Sequence, residues 1–191
     1  MKYLLLLHGY TQNAERFTKQ VSKLLSKSLT KEYKILSIDG PYQIEKDQYG
    51  WWPLSSPEMY SQPHHYENYE VALEKVRQAI PALGPDDQLD IIAFSQGAVL
   101  AEVLLPELSY RRVILFSPSG IMDERLKNIS VHDCQGKVIV SIGEREGIYG
   151  ISHWHYAAQS SLDNYIVGNH DQGHVVPSGL RNIEVLRQFL R

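Results

Sequence analysis

Ser95 stands where an apolar run, Leu89–Phe94, gives way to a helical pattern, and small residues surround it: Ala93, Gly97 and Ala98 in AFSQGA. A sharp strand-to-helix turn lifts a serine Oγ above the edge of a sheet, and small neighbours relieve the crowding in such a turn. The pattern approximates G-x-S-x-G, with Gly97 in the second glycine position and Ala93 in the first. The N-terminus of the following helix, with the Gln96 N–H, can face a developing oxyanion. A hydroxyl is a poor nucleophile without a base, and the base needs an orienting acid. In this kind of sheet the chain order is serine, acid, histidine. After Ser95 comes VIVSIGEREGIYG, a strand pattern running into Gly143-Glu144-Arg145-Glu146. Then comes NYIVGNHDQGHVVPSGL, a strand, a loop and His174 before a final helical pattern. Asp171 is close to His174 in sequence and is a rival acid. Asp163 precedes its strand and belongs at the opposite end. LLLLHGYTQN offers a second oxyanion donor, the Tyr10 N–H after Gly9. Taken singly, a serine N-cap or a plain His8-Gly9 turn would account for these motifs; their order along the chain argues for chemistry.

Elements must hold those residues together. Tyr3–Leu7, Tyr33–Ile38, Leu89–Phe94, Val113–Phe116, Val138–Ile142 and Tyr165–Val167 are short apolar runs, each ending in a turn signal. Amphipathic helices are expected after Asn13 (Ala14, Phe17, Val21, Leu24, Leu25), over Tyr69–Ile80, after Ser95, and after Ser178. Strands that are apolar throughout and alternate with helices predict an α/β domain, a mostly parallel six-stranded sheet with helices on both faces. Ligands bind beyond the carboxyl ends of such strands, where His8-Gly9-Tyr10, Ser95, Glu146 and His174 fall. Residues 43–65, with Trp51-Trp52 and three prolines, read as a long irregular segment and a candidate rim or lid.

The 191 residues predict a single domain, residues 1–191. The chain is 43% hydrophobic and 21% charged with a formal charge of −3, which is globular composition and gives nucleic-acid binding or polybasic membrane attachment no support. No stretch is long and apolar enough to span a bilayer, and the opening apolar run ends at His8-Gly9, too short for a signal peptide. One cysteine, Cys134, rules out an internal disulfide and fits a cytoplasmic setting. His153, His155, His170 and His174 lack the spacing of a metal site, so no metal is expected; the absence of a P-loop or G-x-G-x-x-G predicts no nucleotide cofactor. His170 is expected to shape the turn before His174, and Glu144 to be solvated.

The segments LHGYTQNAERF, GWW at Gly50–Trp52, FSQGAVLAE, FSPSG and HDQGHVVP occur in this order over essentially the whole chain. In these the sequence resembles the FSH family of serine hydrolases, fungal serine hydrolases and the ovarian-cancer-associated hydrolase, within the α/β-hydrolase fold. The resemblance implies a cofactor-free hydrolase similar to esterases and thioesterases acting on small acyl substrates, with Ser95 as nucleophile and His174 as base. It also implies an acid at the fourth position of G-x-x-D, which here is Glu146. Trp51 and Trp52 then line an acyl pocket or pin the long segment to the body. FSQGA and LHGY also suit an acyl-protein-thioesterase-like enzyme. A catalytically silent member of the fold that binds a ligand or partner is the alternative from another class.

Overall fold

The computed structural model describes residues 1–25, 31–54, 65–126, 136–145, 147, 156 and 163–178. All six expected strands form: β1 (Lys2–Leu7), β2 (Lys34–Ser37), β5 (Gln88–Phe94), β6 (Arg112–Phe116), β7 (Lys137–Gly143) and β8 (Tyr165–His170). They pair in parallel in the order β2-β1-β5-β6-β7-β8.

Alternation along these strands sorts the core onto two faces. Leu5, Leu7, Ile91, Ala93, Val113, Leu115, Val138 and Val140 belong to one cluster, with α2 (Tyr69–Ala79) and α3 (Gln96–Leu104) packed into it. Leu4, Leu6, Ile92, Phe94, Ile114, Phe116 and Ile139 belong to the other, under Phe17, Val21 and Leu24 of α1 (Ala14–Leu24). Both clusters are excluded from water, so the strands read as continuous apolar runs. Asn13 caps α1 as its sequence suggests, accepting a hydrogen bond from the Arg16 N–H at 2.8 Å.

The chain leaves β1 toward β2 in one direction and β5 toward β6 in the other. Helix α1 therefore lies on one face and α3 on the opposite face, and the strand order reverses between the carboxyl ends of β1 and β5, the place where sheets of this kind bind ligands. His8-Gly9-Tyr10 and Ser95 occupy those two ends.

Two elements differ from the sequence expectation. Residues 42–50 are not irregular: β3 (Tyr42–Glu45) and β4 (Gln48–Gly50) form an antiparallel hairpin. The hairpin bonds to the loop after β1, through Thr11 N to Tyr49 O at 2.9 Å and Tyr49 N to Gln12 O at 2.8 Å. Helix α3 is not amphipathic, since all nine of its residues are buried. It is enclosed by the sheet on one side and by residues such as Tyr66, Ala72 and Tyr156 on others. The expected final helix, after Ser178, lies outside the described residues.

The enclosure of α3 includes Glu102, whose Oε2 accepts a hydrogen bond from the Tyr156 hydroxyl at 2.7 Å. Burial raises its pKa to about 8, more than that bond lowers it. A free carboxyl in the unfolded chain titrates near ~4.3. Between those values the folded chain holds a proton that the unfolded chain has released, so stability falls as pH rises through the window. Glu102→Gln is expected to remove this dependence. In denaturant titrations at about pH 5 and about pH 8, wild type should lose on the order of 3 kcal/mol more than the variant over that interval. Equal losses would place the Glu102 proton elsewhere.

Candidate active site

Ser95 connects β5 to α3 with φ 53° and ψ −120°, a conformation that L residues rarely adopt. Its backbone N–H donates to Phe116 O at 2.9 Å, and its carbonyl accepts from Ala98 N at 2.9 Å and Val99 N at 3.1 Å. Its side chain makes no cap bond to the helix. The hydroxyl is instead 2.8 Å from His174 Nε2. Ser95 thus holds the N-cap position through its backbone alone, and helix capping does not account for its hydroxyl.

Two small residues allow the turn. A Cβ on Gly97 would come within 2.4 Å of His8 O and 2.5 Å of Leu7 O, both backbone atoms. Only glycine lets the first turn of α3 cross the end of β1 this closely. Ala93 is fully buried on β5, level with Leu7 on β1 and Leu115 on β6. The site thus accommodates alanine where the G-x-S-x-G pattern has its first glycine.

At the end of β1, His8 is buried and neutral. Burial lowers its pKa, against the opposing effects of its bond to the Gly9 carbonyl and of Asp39. Its Nε2 accepts the Gly40 N–H at 2.9 Å, so the ring proton is on Nδ1, which donates to Gly9 O at 2.7 Å. The Gln12 N–H also donates to Gly9 O, at 3.1 Å. In a trans peptide the C=O and the following N–H point in opposite directions. Holding Gly9 O in this way turns the Tyr10 N–H away from His8 and Gln12. A Cβ on Gly9 would lie 2.6 Å from the Phe94 ring and 3.4 Å from Ser95 Cβ, so this loop abuts the serine.

The side chain of Gln96 ties the elbow to the tryptophans. Its Oε1 accepts the Trp51 N–H at 2.8 Å and its Nε2 donates to Trp52 O at 2.9 Å. Trp51 Nε1 donates to His8 O at 2.8 Å, and its ring stacks on His8 at 5.0 Å. Both tryptophans are buried. Trp52 stacks on Tyr66 at 4.3 Å. Tyr66 is held in turn by Asp123, which accepts its N–H at 2.7 Å, and by the Met122 N–H, which donates to its hydroxyl at 2.6 Å. Burial would raise the Asp123 pKa, but hydrogen bonds from the Arg125 side chain and from the Tyr66 and Arg125 N–H groups outweigh it and hold the carboxyl far below its usual range. Sequence reasoning assigned Gln96 only through its backbone and missed the side-chain roles of His8, Tyr66 and Asp123. The fixed spacing within LHGY, GWW and FSQG was the available signal.

His174 sits in the loop after β8, with its ring 5.2 Å from that of Phe94. His170 ends the strand buried, and its Nδ1 accepts the Gln172 N–H at 3.3 Å, as expected of a residue shaping this turn. The loop after β7 is bound to it through Glu144 N to His170 O at 2.9 Å and Arg145 N to Gln172 O at 3.2 Å. Gly143 permits this approach, because a Cβ there would meet Gly173 O at 2.3 Å. Glu144 is exposed, as expected, and so is Asp171. Asp163 precedes β8, at the end of the strand opposite His174. Glu146 lies outside the described residues. Among the described residues no cluster of His, Cys, Asp and Glu side chains has the arrangement of a metal site, and no helix is long and apolar enough to cross a membrane.

Comparisons with known proteins agree with this architecture. The chain superposes on a carboxylesterase from Mesorhizobium loti with a TM-score of 0.72 at 15% identity, covering 99% of this chain and 88% of that one. Against Zea mays acyl-protein thioesterase 2 the TM-score is 0.69 at 13% identity, covering 99% and 92%. An uncharacterized protein from Bacillus cereus ATCC 10987 gives 0.74 at 13% identity; 99% of this chain is covered, but it spans only 59% of that protein's length. Identities this low establish the fold, that of the α/β-hydrolases. No protein of curated function matches the sequence. The family model for serine hydrolase (FSH1) matches residues 1–185, and the chain, with its strained serine facing a histidine at the sheet's carboxyl edge, belongs to that serine hydrolase family.

Proposed function

We propose that this serine hydrolase cleaves carboxylic esters or thioesters of small acyl substrates through an acyl-serine intermediate, with Ser95, His174 and Glu146 as its catalytic residues. The observation that carries the reading is the 2.8 Å contact between Ser95 Oγ and His174 Nε2 at a serine strained out of its helix. In this reading Ser95 Oγ attacks the acyl carbon while its proton passes to His174 Nε2. The N–H groups of Tyr10 and Gln96 hold the oxyanion. The tetrahedral adduct collapses, the C–O or C–S bond breaks, and His174 returns the proton to the leaving alcohol or thiol. Water then attacks the acyl-serine, losing its proton to His174, and Ser95 recovers a proton as the acid departs. Glu146 orients the imidazole and stabilises its cationic form.

Two observations support the supporting roles. The Gly9 carbonyl is anchored by His8 and Gln12, which orients the Tyr10 N–H without a rearrangement during attack. The Gln96 side chain fixes Trp51 and Trp52 beside the elbow, as a rigid wall for the acyl group. The reading takes residues 1–191 as one domain, with 43–65 as its rim. It places the enzyme in the cytoplasm, which the single cysteine supports.

A fluorophosphonate is expected to label wild type at one site and to leave folded Ser95→Ala unlabelled. Labelling of the folded variant would remove Ser95 from the mechanism, and an unlabelled wild type would favour a catalytically silent binding protein. Glu146→Gln should lose on the order of 10³–10⁴ in kcat, and Asp171→Asn far less. The reverse order in steady-state kinetics would move the acid to Asp171. Trp52→Ala should cost about 3–5 kcal/mol in denaturant unfolding, as expected for a buried aromatic. The folded fraction should also show an altered acyl-length preference; an unaltered preference would reduce Trp52 to a structural role.

A further inference from the structure

A groove of about 320 Å³ opens beside His174, walled by Gln12, Gln20, Gln172 and Ser178 with Phe94 among its lining residues. Its described lining includes His174 but not Ser95, Gln96 or either tryptophan. Phe94 belongs to the core face under α1, whereas Trp51 and Trp52 belong to the opposite face. The groove and the tryptophan wall therefore lie on different sides of the serine.

Resting on the hydrolase reading above, we infer that this groove is the leaving-group subsite and that it selects polar, uncharged alcohols or thiols. The proton that His174 takes from Ser95 must be returned to the leaving atom, so that atom must come within hydrogen-bond reach of His174 Nε2. The group attached to it then extends along the side where His174 forms the wall. The chemistry of that wall is amide and hydroxyl. Gln12 Oε1 accepts the Gly9 N–H at 3.1 Å, which aims its Nε2 at Gln20 Oε1, 3.3 Å away. That bond orients the Gln20 carboxamide, whose own N–H groups donate to nothing else among the described residues. On the facing wall, Gln172 Nε2 lies 3.4 Å from Ser178 Oγ, and Gln172 Oε1 lies 3.4 Å from Ser178 N. These long bonds can be exchanged for bonds to a ligand. The polar side chains of the described lining, His174 apart, are the amides of Gln12, Gln20 and Gln172 and the hydroxyl of Ser178, which suit neutral hydrogen-bonding groups. Its volume lies at the lower end of small-molecule sites. Val175 and Val176 supply the apolar contact that the carbon skeleton of such a group needs.

The test uses one acyl group and two leaving groups of equal length, 2-(2-hydroxyethoxy)ethyl acetate and hexyl acetate. Both esters pass through the same acetyl-enzyme, so the ratio of their kcat/KM values reports acylation alone. Dividing by the ratio for hydroxide-catalysed hydrolysis removes the difference in intrinsic reactivity. Wild type is expected to favour the polar ester after this correction. Gln20→Leu and Gln172→Leu should each lower the corrected ratio about 2- to 10-fold, the effect of losing one neutral hydrogen bond. Gln20 is exposed on α1 and Gln172 is in a loop, so each replacement is made outside the buried core. A corrected preference for hexyl acetate in wild type, or a ratio that neither variant moves, would overturn the assignment while leaving the hydrolase reading in place. Absence of hydrolysis of either ester, together with no fluorophosphonate labelling, would overturn the hydrolase reading itself.

Discussion

The close crossing of α3 over the end of β1 is the constraint on which the rest of the site depends. Gly97 brings the first turn of the helix against the Leu7 and His8 carbonyls, closer than any side chain would permit. That crossing forces Ser95 into the left-handed half of backbone space and turns its hydroxyl toward His174 rather than onto the helix terminus. A strained residue persists only where its surroundings over-determine it. Here the Ser95 N–H is bound to β6 and its carbonyl to α3, while the Gly9 loop presses on its Cβ side.

Buried polar groups then hold this edge of the sheet in shape. A buried donor or acceptor left unpaired costs about 1–3 kcal/mol, so satisfied networks specify one arrangement strongly. His8 joins Gly9 to Gly40, Trp51 joins the hairpin end to His8, and Gln96 joins both tryptophans to the elbow. Gly40 and Gly50 make the same region possible, since a Cβ on Gly40 would strike Gly50 O at 2.3 Å. At the opposite end of the sheet, buried Asp90 accepts from Tyr33, Arg111 and Arg112 and ties β5 and β6 to the segment entering β2. Burial opposes its ionisation, but these bonds prevail and lower its pKa. Ser95 therefore stands on a framework anchored at both ends of its central strands, and His174, the proposed base, reaches it from the exposed loop after β8.

The amino-acid sequence by itself determined the six strands and the helices α1 and α2, because short apolar runs closed by turn signals mark strands covered on both faces, and a period-3.6 apolar pattern follows directly from helix geometry. It also determined the pairing of Ser95 with His174, since both fall at the carboxyl ends of strands that a parallel sheet must bring to one edge. Only the tertiary structure decided the rest. The β3–β4 hairpin escaped the pattern because its outward residues meet solvent and its stabilising bonds run from Tyr49 to Thr11 and Gln12, which are distant along the chain. The burial of α3 on all sides, and with it the retained proton of Glu102, depends on Tyr66 and Tyr156, which are distant in sequence. The side-chain role of Gln96 was hidden for the same reason. A glutamine in a sequence is equally a solvated residue or a buried bridge, and only the approach of Trp51 and Trp52 to within hydrogen-bond distance makes it the latter.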